Sequence, residues 1–290
     1  MLESCKCYLI LKTKKGHQLS SKSLKLSAKI ALVFIVILAI CAIFAPFILS
    51  YNPNEINLDS KLLPPSMTHI LGTDYLGRDI FTRLIYGARI SLSASFATLA
   101  LILFFGIALG GVSGFVGGAL DRILMRLCDV FLSFPTIILS LFLVAILGGG
   151  LANVIVAIAA THFAWYARIV RAIIFSAKNK EYVALSAVYG LNAAQSFKRN
   201  MLPPILRQCA TLAMLDIGHI MLHISGLSFV GLGVAAPTAE WGIMIADSKD
   251  YIWSNPSLIL YPGAALFICV VAFNVLGDGV REYFSVGLKN

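Results

Sequence analysis

The sequence predicts an all-α protein that crosses a membrane six times. Three observations carry this. The 290 residues are 59% hydrophobic and 13% charged, with a mean hydropathy of +0.86, whereas soluble domains carry roughly twice that charge. Apolar runs of about twenty residues recur, each long enough to span the hydrocarbon core at about 1.5 Å per residue. The lysines and arginines behind the net charge of +9 gather between alternate runs, as cytoplasmic loops do. The basic balance therefore calls for no nucleic acid, and no basic face interleaved with aromatics is present.

Residues 1–29 hold seven lysines, from Lys6 to Lys29, against Glu3. The positive-inside rule makes them a cytoplasmic tail. Residues 30–49 are uncharged and form an uncleaved first membrane helix, in a unit bounded at 30–50. A cleaved leader has a shorter apolar run and a shorter basic start. Residues 51–88 are external. Tyr51-Asn52-Pro53 breaks the first helix, and Pro64-Pro65 keeps the chain extended. Thr73 is placed to cap a helix starting near Asp74. Ile80, Leu84 and Ile85 share a face opposite Arg78 and Thr82, so this piece is expected to lie along the outer membrane surface.

A permease core is expected over 89–281. Its second membrane helix, 91–117, carries Gly106, Gly110, Gly111, Gly114, Gly117 and Gly118, and small residues four apart let helices approach closely in lipid. An inner loop with Asp121, Arg122, Arg126 and Asp129 leads to a third helix at 131–147, entered through Pro135. A fourth, 151–174, returns to Arg168 and Arg171. The fifth spans 205–227 and the sixth 258–276, followed by a cytoplasmic tail at 282–290. The outer loop before the sixth helix has Trp241, Tyr251 and Trp253 as interface anchors. The six cysteines show no disulfide framework, and Cys5-x-Cys7 reads as two reduced thiols in the tail.

The polar stretch 178–204, "KNKEYVALSAVYGLNAAQSFKRNMLPP", stands apart. It reads as a short helix, a turn at Gly190 and a second short helix that stops at Pro203-Pro204. Glu181, Ala184, Ala187 and Gly190 recur every three residues and leave one smooth side for close packing. Four basic residues against Glu181 place it inside. A compact knob there is suited to docking something soluble.

No Gly-x4-Gly-Lys-Ser/Thr loop occurs, so any ATP the system uses is bound by another chain. Gly111-Val112-Ser113-Gly114 matches the Gly-x-Ser-Gly of membrane Ser–His proteases, with His162 and His219 as formal bases. Such a nucleophile needs a histidine base within reach, and a packing role in the glycine stripe around Ser113 explains the match with nothing left over. The fifth helix is richer: "LDIGHIMLHISG" puts Asp216, His219 and His223 at i, i+3 and i+7, within about 60° of arc. Ionisable groups inside a membrane are costly and mark paths or partners. The three groups suit a divalent metal such as Ni²⁺, with His219 and His223 as its ligands, or the polar groups of a chelate. A hydrogen-bonded seam to another helix is the alternative. His162 and Trp165 on the fourth helix join as weaker members of the same path. His17 and His69 carry no usable signal.

With "LGTDYLGRDIFTRLIYGARISL", "YARIVR", the 178–204 stretch, "LSFVGLG" and "AFNVLGDGVR", the chain resembles the C-type permease subunit of peptide and nickel ABC importers from Ile30 to Leu288. "HFAWYARIVR" and "LDIGHIMLHISGLSFVGLGVAAPTAEWG" look like the nickel branch. The resemblance implies the type I importer permease fold in the bacterial inner membrane, with both termini cytoplasmic. Glu181, Ala184, Ala187, Gly190 and Pro203 would then mark the segment seated on an ATPase. This chain departs from the family pattern in having Leu185 and Ser186 where two alanines are common. The resemblance further implies a second permease chain in a heterodimer, two ATPases that bind ATP and Mg, and an external substrate-binding protein. Asp74, Arg78 and Asp79 would belong to the external gate or docking region. The cargo would be nickel or a related metal chelate, the alternative being a dipeptide or oligopeptide, and the chain itself would catalyse nothing. A channel or carrier working without ATPases would not need the docking stretch.

Overall fold

The structure, a computed structural model, describes residues 24–286. Cys5, Cys7, His17 and the lysines up to Lys22 lie outside these residues, as does Lys289. The described residues form helices and no strand beyond an isolated bridge between Thr73 and Asp79. Five helices are long and apolar enough to cross a membrane, or six if one sharply bent pair counts as a single span.

Helix α1 (Leu26–Ile48) begins a turn before the expected start. It buries only a narrow stripe of Ala28, Ala31, Ile35, Ala42 and Ala45. Phe47, Ile30 and Ile43 stay exposed, as expected of a helix surrounded by lipid tails.

Helix α2 (Ile80–Val116) has 37 residues, about 55 Å at the usual rise. The expected surface helix does not exist as a separate element: it is the first three turns of α2, so position 88 is not a boundary. The start also differs. Asp79, not Thr73, caps the helix, accepting from the Thr82 N–H at 2.7 Å. The reason lies in Arg83, which interrupted the surface pattern because it points inward and is 1% exposed. Thr73 instead accepts from the Leu63 N–H at 2.8 Å.

Helices α3 (Gly118–Leu132) and α4 (Thr136–Leu147) meet at 91°. The expected inner loop is thus helical, and the expected third helix at 131–147 is broken. Pro135 lacks an N–H and disfavours helix at Phe134, so the chain turns there. Helix α5 (Leu151–Lys178) packs along α2. A Cβ on Gly106 would lie 2.5 Å from Tyr166 Cβ, and one on Gly110 would lie 2.3 Å from the Ala167 carbonyl oxygen. Gly111 faces open space, so the contact stripe is narrower than the glycine count implied.

The stretch after α5 folds as α6 (Glu181–Val188), a turn at Gly190 with φ +76°, and α7 (Ala193–Ser196). Asn192 and Gln195 close a reciprocal cap on α7. A π-turn at Phe197–Met201 then leads into α8 (Leu202–Phe229). The next membrane helix starts around Pro203 and Pro204 as expected, but the helical path before them is continuous and does not stop. They occupy the first positions of α8, where a missing N–H costs nothing. Helix α9 (Trp241–Asp247) lies in the loop before α10 (Ser257–Val286). The latter runs well past the expected end at 276 and across the expected boundary at 281. Trp241 is no interface anchor: it is 1% exposed and donates to the Leu84 carbonyl at 3.0 Å. Trp253 is 94% exposed.

Candidate translocation face

Asp216 sits in the middle of α8 and is buried. Its Oδ2 lies 2.9 Å from His162 Nε2 on α5, so one polar contact joins the two helices. The other carboxylate oxygen lies 3.7 Å from His219 Nδ1, too far for a hydrogen bond. The His219 side chain is 65% exposed, and His223 one turn on is half-buried. Trp165 is also exposed and its ring centroid lies 6.0 Å from that of His162. The structure therefore brings Asp216, His162 and His219 together at the edge of an open face, with Trp165 beside them.

Tyr166 was not singled out from sequence. It is fully buried against α2, and its hydroxyl has no hydrogen-bond partner among the described residues. The signal available was its place four residues from His162, on the same helical face. Among the described residues no three His, Cys, Asp or Glu side chains converge as a metal-binding group. His219 and His223 thus do not build a three-donor metal cage with Asp216 in this chain.

Among the described residues Ser113 has no histidine partner. Its buried hydroxyl donates to Asp121, which Arg171 also grips through two nitrogens. This is a structural lock between α2, α3 and α5, and nothing in it supports a protease.

At the end of the bundle formed by residues 49–79 and 230–256, a second polar cluster is buried. Asp74 accepts from Arg78 Nε at 2.7 Å and from the Leu76 and Arg78 N–H groups. Arg83 Nη1 donates to the carbonyls of Pro53 at 2.7 Å and Pro237 at 3.1 Å. Asp79 Oδ1 lies 3.0 Å from His69 Nδ1, giving that histidine a place in the cluster. Glu240 is 0% exposed and accepts from Ser91, Ser225 and the Ile243 N–H. Burial pushes the Tyr75 phenol above its usual pKa, and the Asp247 charge acts in the same direction. Asp74, Arg78 and Asp79 are each under 7% exposed. They hold this cap together and present no docking surface of their own, which corrects that part of the expectation.

At the opposite end, Glu181, Gly190 and Pro203 are exposed, and Ala184 and Ala187 lie within α6. Tyr182, Leu185, Val188 and Tyr189 are between 50% and 81% exposed. Such a run of bared large apolar side chains marks a contact surface. Ser186 faces inward instead, where Asn200 donates to its hydroxyl at 2.7 Å. That bond ties α6 to the π-turn before α8.

Comparison with known proteins agrees with this architecture. The profile of the family described as binding-protein-dependent transport system inner membrane component matches residues 106–290. That of the N-terminal TM domain of oligopeptide transport permease C matches residues 27–65. The chain is 48% identical to the nickel transport system permease protein NikC of Escherichia coli (strain K12), over 89% of this chain and 94% of that one. It is 37% identical to the dipeptide transport system permease protein DppC of Alkalihalophilus pseudofirmus, over 91% and 86%. It is 38% identical to the metal-staphylopine import system permease protein CntC of Staphylococcus aureus (strain NCTC 8325 / PS 47), over 88% of each. Among solved structures, a chain of the inward-facing MetNI methionine ABC transporter superposes with a TM-score of 0.56 at 19% identity, covering 71% of this chain and 97% of that one. That likeness shows the fold of a type I ABC importer permease. The chain therefore belongs to the binding-protein-dependent transport system inner membrane component family, as a membrane-spanning permease subunit of an ABC importer.

Proposed function

We propose that this subunit forms half of the path by which nickel or a related metal chelate crosses the bacterial inner membrane. The observation that carries the reading is the His162–Asp216–His219 cluster, opening to one side of an otherwise apolar bundle. A buried carboxylate beside an exposed imidazole favours cationic or N–H-bearing cargo. With His223 it offers a succession of weak contacts. Passing contacts suit transport, because cargo held by a complete ligand set would not leave. The names of NikC and CntC point to metal cargo, and that of DppC to the peptide alternative.

The basic end faces the cytoplasm in this reading, with both termini there, since Lys178, Lys180, Lys198 and Arg199 cluster around α6 and α7. ATP and Mg are bound by two partner ATPases, one of which seats α6. A second permease chain covers the open face of α5 and α8. An external binding protein delivers cargo to the cap formed by residues 51–79 and 230–256. ATP binding draws the ATPases together and biases the helices between outward-open and inward-open states.

The test is ATP-dependent uptake of labelled nickel by cells carrying the complete transporter. His219→Ala/His223→Ala is expected to lower uptake at least about tenfold, on the scale of losing one or two such contacts. A dipeptide in excess is expected not to compete. Peptide transport without nickel uptake would overturn the metal reading and leave the permease assignment standing.

A further inference from the structure

The two ends of α9 are held differently. Its start is fixed by the direct bonds that Ser91, Ser225 and the Ile243 N–H make to Glu240. At its other end stands Asp247. One carboxylate oxygen of Asp247, Oδ2, is buried and has no hydrogen-bond partner among the described residues. Across from it, Arg78 is in the same situation. It is 2% exposed, its Nε donates to Asp74 at 2.7 Å, and its Nη1 is buried without a partner among the described residues. Arg78 is ion-paired to Asp74 and, among the described residues, not to Asp247. Leaving a buried donor and a buried acceptor unmade is costly, more so when both groups are charged.

Both residues line one small cavity. Tyr75, Arg78 and Arg83 bound it from the start of α2 and the segment before it, and Met244, Asp247 and Leu258 bound it from α9 and α10. Its volume is about 10 Å³, room for a single water molecule and too little for a hydrated ion or a piece of cargo. The chemistry of the lining selects the occupant. A guanidinium nitrogen only donates, and an ionised carboxylate only accepts. The ligand must therefore accept on one side and donate on the other. An anion such as a halide cannot donate to Asp247, and a metal cation cannot accept from Arg78. Asp74 and Asp247 also stand against Arg78 and Arg83 around the cavity, so neither sign of ion is favoured there. Water alone does both. We propose that Arg78 Nη1 and Asp247 Oδ2 hold one ordered water between them. This water fastens the far end of α9 to the entry of α2, as Glu240 fastens the near end directly. The site lies apart from the histidine face, and it does not rest on which cargo is carried.

The experiment uses the complete transporter in lipid nanodiscs, with its partner permease and both ATPases. Cryo-electron microscopy at a resolution that shows ordered water is expected to place one density within about 2.7–3.2 Å of both atoms. Direct contact between Arg78 and Asp247, or a cavity without density, overturns the proposal. Hydrogen exchange of the peptides covering 74–80 and 244–250 reads the same fastening in variants. Asp247→Leu is expected to speed exchange there about tenfold, the scale of stranding one buried charged donor. Asp247→Asn is expected to stay within about threefold of wild type, because its amide oxygen still accepts from the water. An asparagine variant as loose as the leucine variant would mean that charge, not a bridging water, makes the contact, and overturns the proposal. A leucine variant that exchanges like wild type overturns it as well. Replacing sodium chloride by choline gluconate is expected to leave wild-type exchange unchanged. A change would mean that an ion fills the cavity, and the water falls.

Discussion

Glu240 is enclosed completely, and three donors converge on its carboxyl group: Ser91 from α2, Ser225 from α8 and the Ile243 N–H of its own helix. One side chain thereby fixes the cap helix α9 to two long helices. Removing it strands three buried donors in a site without water to replace the acceptor. We expect Glu240→Ala to destabilise the subunit by about 3 kcal/mol and Glu240→Gln to cost distinctly less, since an acceptor oxygen remains. Thermal unfolding of the purified transporter in detergent measures both, and equal melting of the two variants would show that the contacts are incidental. Asp216 follows a different logic. One of its oxygens lies 2.9 Å from His162 Nε2, and the other lies 3.7 Å from His219 Nδ1, beyond hydrogen-bond reach. Its contact with His162 joins α8 to α5.

Between elements, the closest packing is α2 against α5. There Gly110 brings the backbones so near that an added Cβ would lie 2.3 Å from a carbonyl oxygen. Backbone cannot yield as the tip of a side chain can, so the helices must part. Gly110→Val is expected to cost about 2–3 kcal/mol and to lower the amount of folded subunit in membranes. Gly111→Val, one residue on and facing open space, is the control. It is expected to accumulate normally, and equal loss of both variants would mean that helix propensity, not contact, is responsible. The break between α3 and α4 belongs to the same scale. Arg171 on α5 grips Asp121 on α3, which steadies the first arm of the bend against the long helices.

For the molecule as a whole, two polar clusters and one apolar knob divide the work along the membrane normal. The cap is tied shut by Arg83, Asp74 and Glu240, the middle carries the histidine face, and the basic end bares Val188 and Tyr189 at 80% and 81% exposure. Val188→Asp/Tyr189→Asp leaves the bundle untouched because neither side chain is buried. It is expected to weaken capture of the ATPases at least about thirtyfold, the scale of losing an interface hot spot, and to abolish uptake. Co-purification of the ATPases with the variant subunit measures this. Undiminished capture would move the coupling surface away from α6.

The sequence by itself determined the all-helical, membrane-spanning class, the expected sidedness and the alignment of Asp216, His219 and His223. Each follows from composition or from periodicity within one helix, and neither needs a partner to be known. Only the tertiary structure decided where several elements begin and what the polar groups do. Thr73 and Asp79 were both able to cap α2, and the inward turn of Arg83 toward Pro53 and Pro237 selected Asp79. The double proline opens the next membrane helix as expected, while the π-turn before it keeps the helical path continuous instead of broken. His162 and Asp216 are 54 residues apart, and Ser91 and Glu240 are 149 apart. No local period relates such positions. Their pairing arises because burying a polar group is costly unless a partner arrives with it, and which partner arrives depends on how the helices pack.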